Sequence, residues 1–362
     1  MIDTLPNVID RRFELQLKLG EGTYGVVYLA FDSKTQASVA LKIGPKEHVR
    51  QREASLMSIL TNYPGFPRLL STGTYGNNRY IAMQLLGQSV YDRTSHKTSH
   101  LGEKDIIKIL KSSLKRLQLL HSKGYVHCDL KLQHLIYDLK GRKLYLTDFG
   151  LSAPAVTELT ENIPISKFPR GNPRFCSVRA HFFKYLGPFD DIESLAYIGA
   201  FLLKGFLPWD AAVNLKGDLC ENIKTFKSSA TRSLGWLQTL PAELQEILSY
   251  VRDQPAVSKP NYGYLGDLIN HWLLKLDSHC SERRISEAQT DCTSKSGKSA
   301  IKSMEDYHQT IVQPFYSTSH PLTTLQRSDT IELLSPQPTA QLFQKVKALK
   351  AYLKYTASKQ TT

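Results

Sequence analysis

At 362 residues, 41% apolar and 22% charged, the chain can bury a sizeable core, as one bilobal domain with a tail or as two domains. A net charge of +13 favours anionic partners such as nucleotide phosphates or acidic peptides, and no dominant lysine or arginine block predicts a nucleic-acid partner. Five widely spaced cysteines without a C-x-x-C pair argue against a disulfide framework or a zinc site, and predict a reducing compartment, cytoplasmic or nuclear.

The opening stretch MIDTLPNVIDRR lacks the apolar core of a signal peptide. Residues 13–43 read as strands: VVYLAF and ASVALKI are rich in β-branched and aromatic residues, with a turn over Asp32–Gln36. Residues 48–60 place Ala54, Leu56, Met57 and Leu60 at helical spacing, and NRYIAMQLL returns to strand character. From about 103 the pattern turns helical, with Ile106, Ile107, Ile109, Leu110, Leu114, Leu117 and Leu120 on one face. The most apolar run, Leu195 to Leu203, gives way to Lys204 and is too short to span a bilayer, so it reads as a buried helix and no transmembrane segment is predicted.

These elements predict an α+β chain: a small sheet-rich lobe over 11–86, a larger helical lobe over 87–276, and a mostly disordered Ser/Thr/Lys-rich tail over 277–362. Within the tail, Leu342, Val346, Leu349 and Leu353 share a helical face with Lys345, Lys347, Lys350 and Lys354 off it. A basic amphipathic helix over 341–355 suits a membrane surface or a partner; a short helix that folds back or frays is the plainer reading.

The chemistry lies in four stretches. Gly20-Glu21-Gly22-Thr23-Tyr24-Gly25 lets backbone N–H groups approach phosphate oxygens, and it joins two strands rather than a strand and a helix, which speaks against a dinucleotide-binding fold. Lys42, in Val39-Ala40-Leu41-Lys42, can hold phosphates if an acid fixes it, and Glu53 lies on the next helix. His127-Cys128-Asp129-Leu130-Lys131-Leu132-Gln133-His134 supplies a base in Asp129 and a lysine two residues on. Asp148-Phe149-Gly150 follows a strand and offers a carboxylate for Mg²⁺.

LGEGTYGVVYLA, REASLM, MQLLGQSV, HSKGYVHCDLK, YLTDFGLS and DDIESLAYIGAFLLKGFLPW together resemble protein kinases of the casein kinase 1 group. GNPRFCS stands where that group carries G-T-A-R-Y-A-S, and KPNYGYL echoes its KPDYSYL; the likeness runs from about Phe13 to Leu276. The resemblance implies a bilobal protein-kinase fold and a serine/threonine kinase moving the γ-phosphate of ATP to protein hydroxyls. It implies an ATP site of Leu19, Gly20, Gly22, Gly25, Val27, Ala40, Lys42, Glu53, Met83, Gln84, Leu85 and Leu86, with Asp129 and Lys131 catalytic and Asp148 binding Mg²⁺. It further implies that Asp191 anchors the catalytic loop and that Arg174 binds an anion on the substrate, although Leu219 falls near the site's second lysine. The partners it implies are protein substrates, acidic ones given the charge, and the kinase acts as a monomer.

Two positions depart from the pattern. His134 replaces the metal-binding Asn, which predicts a weakened second metal site and a gain from Mn²⁺ over Mg²⁺. Cys128 replaces the usual Arg, which predicts that activation-loop phosphorylation is not required. His134 also opens the alternative of a pseudokinase acting as scaffold or allosteric partner. A small-molecule phosphotransferase is a third reading, disfavoured by the D-F-G and L-P-W motifs. Tyr24 at the glycine-loop tip is a candidate for inhibitory phosphorylation, since phosphate there would oppose that of ATP.

Overall fold

The computed structural model describes residues 7–22, 25–45, 51–95, 101–155, 171–182, 184–230, 234–252 and 254–289. The Thr23–Tyr24 tip and the basic stretch over 341–355 lie outside them.

The N-terminal part is a curled antiparallel sheet. Its strands are β1 (Val8–Ile9), β2 (Phe13–Gly22), β3 (Gly25–Asp32), β4 (Ala37–Pro45), then helix α1 (Gln51–Leu60), β5 (Leu69–Tyr75) and β6 (Asn78–Gln84). Their order among the described residues is β1-β2-β3-β4-β6-β5. Alternation along β4 divides its side chains between two faces. Val39, Leu41 and Ile43 pack with Phe13, Ala30, Tyr80 and Ala82 on one face. Ala40 and Lys42 point to the other, paired in register with Met83 and Ile81 of β6. Helix α1 turns Glu53, Leu56, Met57 and Leu60 inward, so its acid enters the interior beside apolar neighbours.

The C-terminal part is mainly helical. It comprises α2 (Val90–Thr94), α3 (Glu103–Ser122), the short strands β7 (Tyr125–Val126), β8 (Leu135–Tyr137), β9 (Leu144–Leu146) and β10 (Ala153–Pro154), then α4 (Pro188–Lys204), α5 (Leu219–Ala230), α6 (Leu234–Leu237), α7 (Ala242–Arg252) and α8 (Tyr262–Gln289). β7 pairs with β10 and β8 with β9, two small ladders that flank the His127–His134 and Asp148–Gly150 stretches. Every expected apolar position of α3 is buried. Helix α4 is buried from Pro188 to Ala200, the mark of a helix at the centre of a core. It stops at Gly205, whose φ of 79° is left-handed.

Helix α8 passes the expected domain limit at Leu276 and ends at Gln289. The stretch SHCSERRISEAQ reads as tail by polarity, yet it contains neither Gly nor Pro and is rich in helix-forming Glu, Arg, Ala and Gln. No helix among the described residues is long and apolar enough to cross a membrane.

Candidate active site

The sheet and the helical part bring the motif residues together. Lys42 Nζ donates to Glu53 Oε1 at 2.8 Å and Oε2 at 3.1 Å, and to Asp148 Oδ1 at 3.0 Å. Residues from β4, α1 and the turn after β9 thus meet at one ammonium. Burial alone would lower the Lys42 pKa; Asp148 and then Glu53 outweigh it and raise it, so the cation persists. Burial alone would raise the Asp148 carboxyl; Lys42 and then His134 hold it well below the usual carboxylate range.

Asp148 sits at φ 62°, a left-handed conformation that costs about 1–2 kcal/mol for a residue with a side chain. The following Phe149 is buried, 5.6 Å from the His127 ring edge-on and 6.1 Å from Phe66. With Phe149 held inward, the Asp148 carboxylate faces Lys42.

The catalytic loop is fixed from behind. Asp191, on α4 and 1% exposed, accepts from His127 N–H at 2.6 Å, Cys128 N–H at 3.0 Å and His121 Nε2 at 2.8 Å. These bonds hold Cys128 at φ 66°. His121 Nδ1 also pairs with the Tyr262 hydroxyl, which ties the start of α8 to the loop. His127 accepts the Asp129 N–H on Nδ1 at 3.3 Å and donates Nε2–H to Thr147 O at 3.1 Å. Acceptance at Nδ1 needs a neutral ring, and burial pushes its pKa down.

Asp129 presents its carboxylate at the end of this loop. Oδ2 lies 3.1 Å from Lys131 Nζ, and Oδ1 accepts the Asn172 N–H at 2.7 Å. His134 Nδ1 lies 2.8 Å from Asp129 O. A carbonyl can only accept, so Nδ1 carries the proton. The other nitrogen, Nε2, lies 3.3 Å from Asp148 Oδ2.

On the same face of β4 as Lys42 lies a small apolar cluster. Leu29, Ala40 and Leu85 are buried there, with Leu17, Leu19, Val27 and Met83 packed against them. Gln84 ends β6 and its N–H donates to Arg68 O at 2.9 Å; Leu86 follows, half-buried, before Gly87. Side chains added at Gly20 or Gly22 would meet nothing within 4 Å among the described residues, so no packing among them demands glycine there. Gly25 differs: at φ 137°, a Cβ would fall 2.5 Å from Ile43 O.

The model of the protein kinase domain family matches residues 13–258. The chain belongs to the protein kinase domain family. That family uses ATP as co-substrate, and six of the residues expected at its site, Lys42, Glu53, Asp129, Lys131, His134 and Asp148, form a continuous polar network.

Arg174 stands apart from this network. Its Nε donates to Asp210 Oδ1 at 2.7 Å, Nη2 pairs with Oδ2, and the guanidinium lies 4.4 Å over the Phe201 ring. Two of its donors are thus engaged by a protein carboxylate, at the position where the resemblance implies a substrate anion. Cys128 is buried in an apolar cluster with Val126, Cys176, Ala180 and Leu186.

Sequence reasoning gave no role to His121, His127 or the Asn172 N–H. All lie inside or beside quoted motifs of the kinase, yet their roles depend on partners such as Asp191, Thr147 and Asp129 that spacing alone does not reveal.

Proposed function

We propose that this kinase is a catalytically competent serine/threonine protein kinase of the casein kinase 1 group. The observation that carries the reading is the unbroken contact path from Glu53 through Lys42 and Asp148 to His134, Asp129 and Lys131. The lysine two residues after Asp129 is the pattern of kinases that phosphorylate serine and threonine.

In this reading the adenine lies against the apolar cluster of Leu19, Val27, Ala40, Met83 and Leu85. Lys42 binds the phosphates, and Glu53 stops its stem from swinging away. Asp129 accepts the proton of the substrate hydroxyl as the oxygen approaches phosphorus, with Lys131 steadying the transferring group. A divalent cation, when bound, neutralises phosphate charge.

The donor set fits such an ion with an altered preference. With Nδ1–H given to Asp129 O, His134 turns Nε2 toward Asp148 Oδ2. Two lone pairs 3.3 Å apart repel unless a proton or a cation lies between them. A nitrogen–oxygen pair suits Mn²⁺ better than Mg²⁺, which prefers all-oxygen octahedra. The same feature motivates the second reading, a kinase-shaped scaffold in which His134 bars metal from the site.

Transfer from labelled ATP to casein, measured with Mg²⁺ and with Mn²⁺, separates the two. Competence predicts incorporation with Mn²⁺ above Mg²⁺, a gain in the Mg²⁺ rate for His134→Asn, and loss in Asp129→Asn. No incorporation by the native protein with either metal supports the scaffold, and recovery of transfer in His134→Asn would assign the block to His134.

A further inference from the structure

Lys227, on α5, is fully buried. Its Nζ donates to Pro173 O and Cys176 O, each at 2.7 Å, and lies 4.8 Å from the Trp209 ring centroid and 5.2 Å from that of Tyr197. Taking an ammonium out of water is costly, and burial pushes the Lys227 pKa down. An apolar residue would fill this place more cheaply unless the hydrogen bonds serve a purpose.

The carbonyls it holds belong to the loop over residues 171–177, and that loop touches the catalytic base. Asn172 N–H donates to Asp129 Oδ1 at 2.7 Å. Pro173 comes next, and its ring fixes one of the few dihedrals between the Asn172 amide and the Pro173 carbonyl. The rest of the loop is closed by its own bonds: Asn172 O accepts Phe175 N–H at 3.1 Å and Cys176 N–H at 2.8 Å, and Asn172 Oδ1 accepts Arg174 N–H at 2.9 Å. Trp209 Nε1 donates to Arg174 O at 2.7 Å, and His181 Nε2 lies 3.2 Å from Pro173 O.

On its other side the loop presses on the catalytic loop. Gly171 has φ 88°, and a Cβ there would sit 2.3 Å from Cys128 O. The loop is therefore gripped between the backbone at Cys128 and the ammonium of Lys227.

We propose that Lys227 is a positioning residue for phosphoryl transfer: it holds the Asn172–Cys176 turn in place so that the Asn172 N–H orients the Asp129 carboxylate. The proposal rests on the reading of Asp129 as the base. Lys227 itself reaches neither nucleotide nor substrate hydroxyl in this scheme; it acts through Pro173 and Asn172. Its effect falls on turnover rather than on nucleotide binding, because the apolar cluster around Ala40 and Met83 lies on the sheet.

Lys227→Met keeps the length of the stem and removes the charge. The expected result is a kcat about 10–100-fold lower per folded molecule, with the KM for ATP unchanged. Amide exchange over residues 171–178, followed by mass spectrometry, becomes faster in the variant. A purely structural lysine would lower the melting temperature and leave kcat per folded molecule unchanged, and that result overturns the proposal. Unchanged exchange over 171–178 overturns it as well. If Lys227→Met does not fold, Lys227→Gln, which keeps a donor but loses charge and reach, is read by the same two measurements. If the native protein transfers no phosphate with Mg²⁺ or Mn²⁺, the reading of the active site fails, and the exchange measurement alone decides whether Lys227 holds the loop.

Discussion

Replacing Asp191 with asparagine removes the charge on which the catalytic loop hangs. Its carboxylate accepts from the His127 and Cys128 amides and from His121, all within 3.0 Å. Asparagine keeps one acceptor oxygen and turns an NH₂ toward the other donors, so at least one buried N–H loses its partner. A hydrogen bond to a charged group contributes about 1.5–3 kcal/mol, and an orphaned buried donor costs about 1–3 kcal/mol. The same bonds hold Cys128 at φ 66°, a conformation about 1–2 kcal/mol above the ordinary one, which relaxes once the grip is lost. These effects overlap, and the net loss is about 3 kcal/mol, or about 6–12 °C in Tm for a domain of this size. Thermal unfolding followed by circular dichroism measures it, with amide exchange at residues 127 and 128 as the local readout. Turnover should fall as well, because Asp129 is the next residue along the chain. A Tm within about 1 °C of the native value, with exchange at 127–128 unchanged, refutes the anchoring role of Asp191.

Three further outcomes follow from the same contacts. Burial, and then the charge of Lys227, push the His181 pKa down to about 3, against an unfolded value near 6.5. The unfolded chain therefore binds a proton that the folded one refuses, and stability falls as pH drops from about 6.5 toward 3, by up to about 1.4 kcal/mol per pH unit. His181→Asn should flatten that part of the Tm–pH curve; an identical slope in both proteins counts against it. Burial pushes the Cys176 thiol up to about 11, and Cys128 is buried, so iodoacetamide at pH 8 should leave both unmodified until the protein unfolds. Rapid labelling of either, read by peptide mass spectrometry, contradicts the packing described. Gly25→Ala drives a Cβ toward Ile43 O from a φ of 137°, so Tm should fall by an amount matching about 1–3 kcal/mol and the KM for ATP should rise. Native Tm and KM in that variant are the opposing result.

The parts legible in the sequence are those whose pattern is local. β3, β4 and β6 are runs rich in β-branched and aromatic residues, and α3 repeats its apolar positions over many turns, so composition identifies the strands and period the helix. β5 reads LLSTGTY, with polar residues and a glycine on a mostly exposed edge, and β1, β7 and β10 are two residues each; such strands exist only through their partners. The far end of α8 is polar on a helix whose ordering comes from its first turns, which pack on the core through Leu265, Ile269 and Trp272. The site divides in the same way. Lys42, Glu53, Asp129 and Asp148 are readable because each sits in a short stretch that resembles the protein-kinase pattern, in the same order. The Asn172–Asp129 bond spans 43 residues and the Arg174–Asp210 pair 36, and neither has a local signature. Lys227 reads in sequence as one more surface charge on an amphipathic helix, and only the fold turns it inward.

The claim on which the rest depends is that Lys42, Glu53, Asp129 and Asp148 serve one nucleotide. The direct test pairs ATP affinity by calorimetry with single-turnover transfer, in the native protein and in Asp129→Asn, with Mn²⁺ present. The account predicts ATP binding unchanged within about twofold in the variant, with the transfer rate lower by about 10²–10⁴-fold. Equal transfer rates in the two proteins, or a native protein that does not bind ATP, would contradict it.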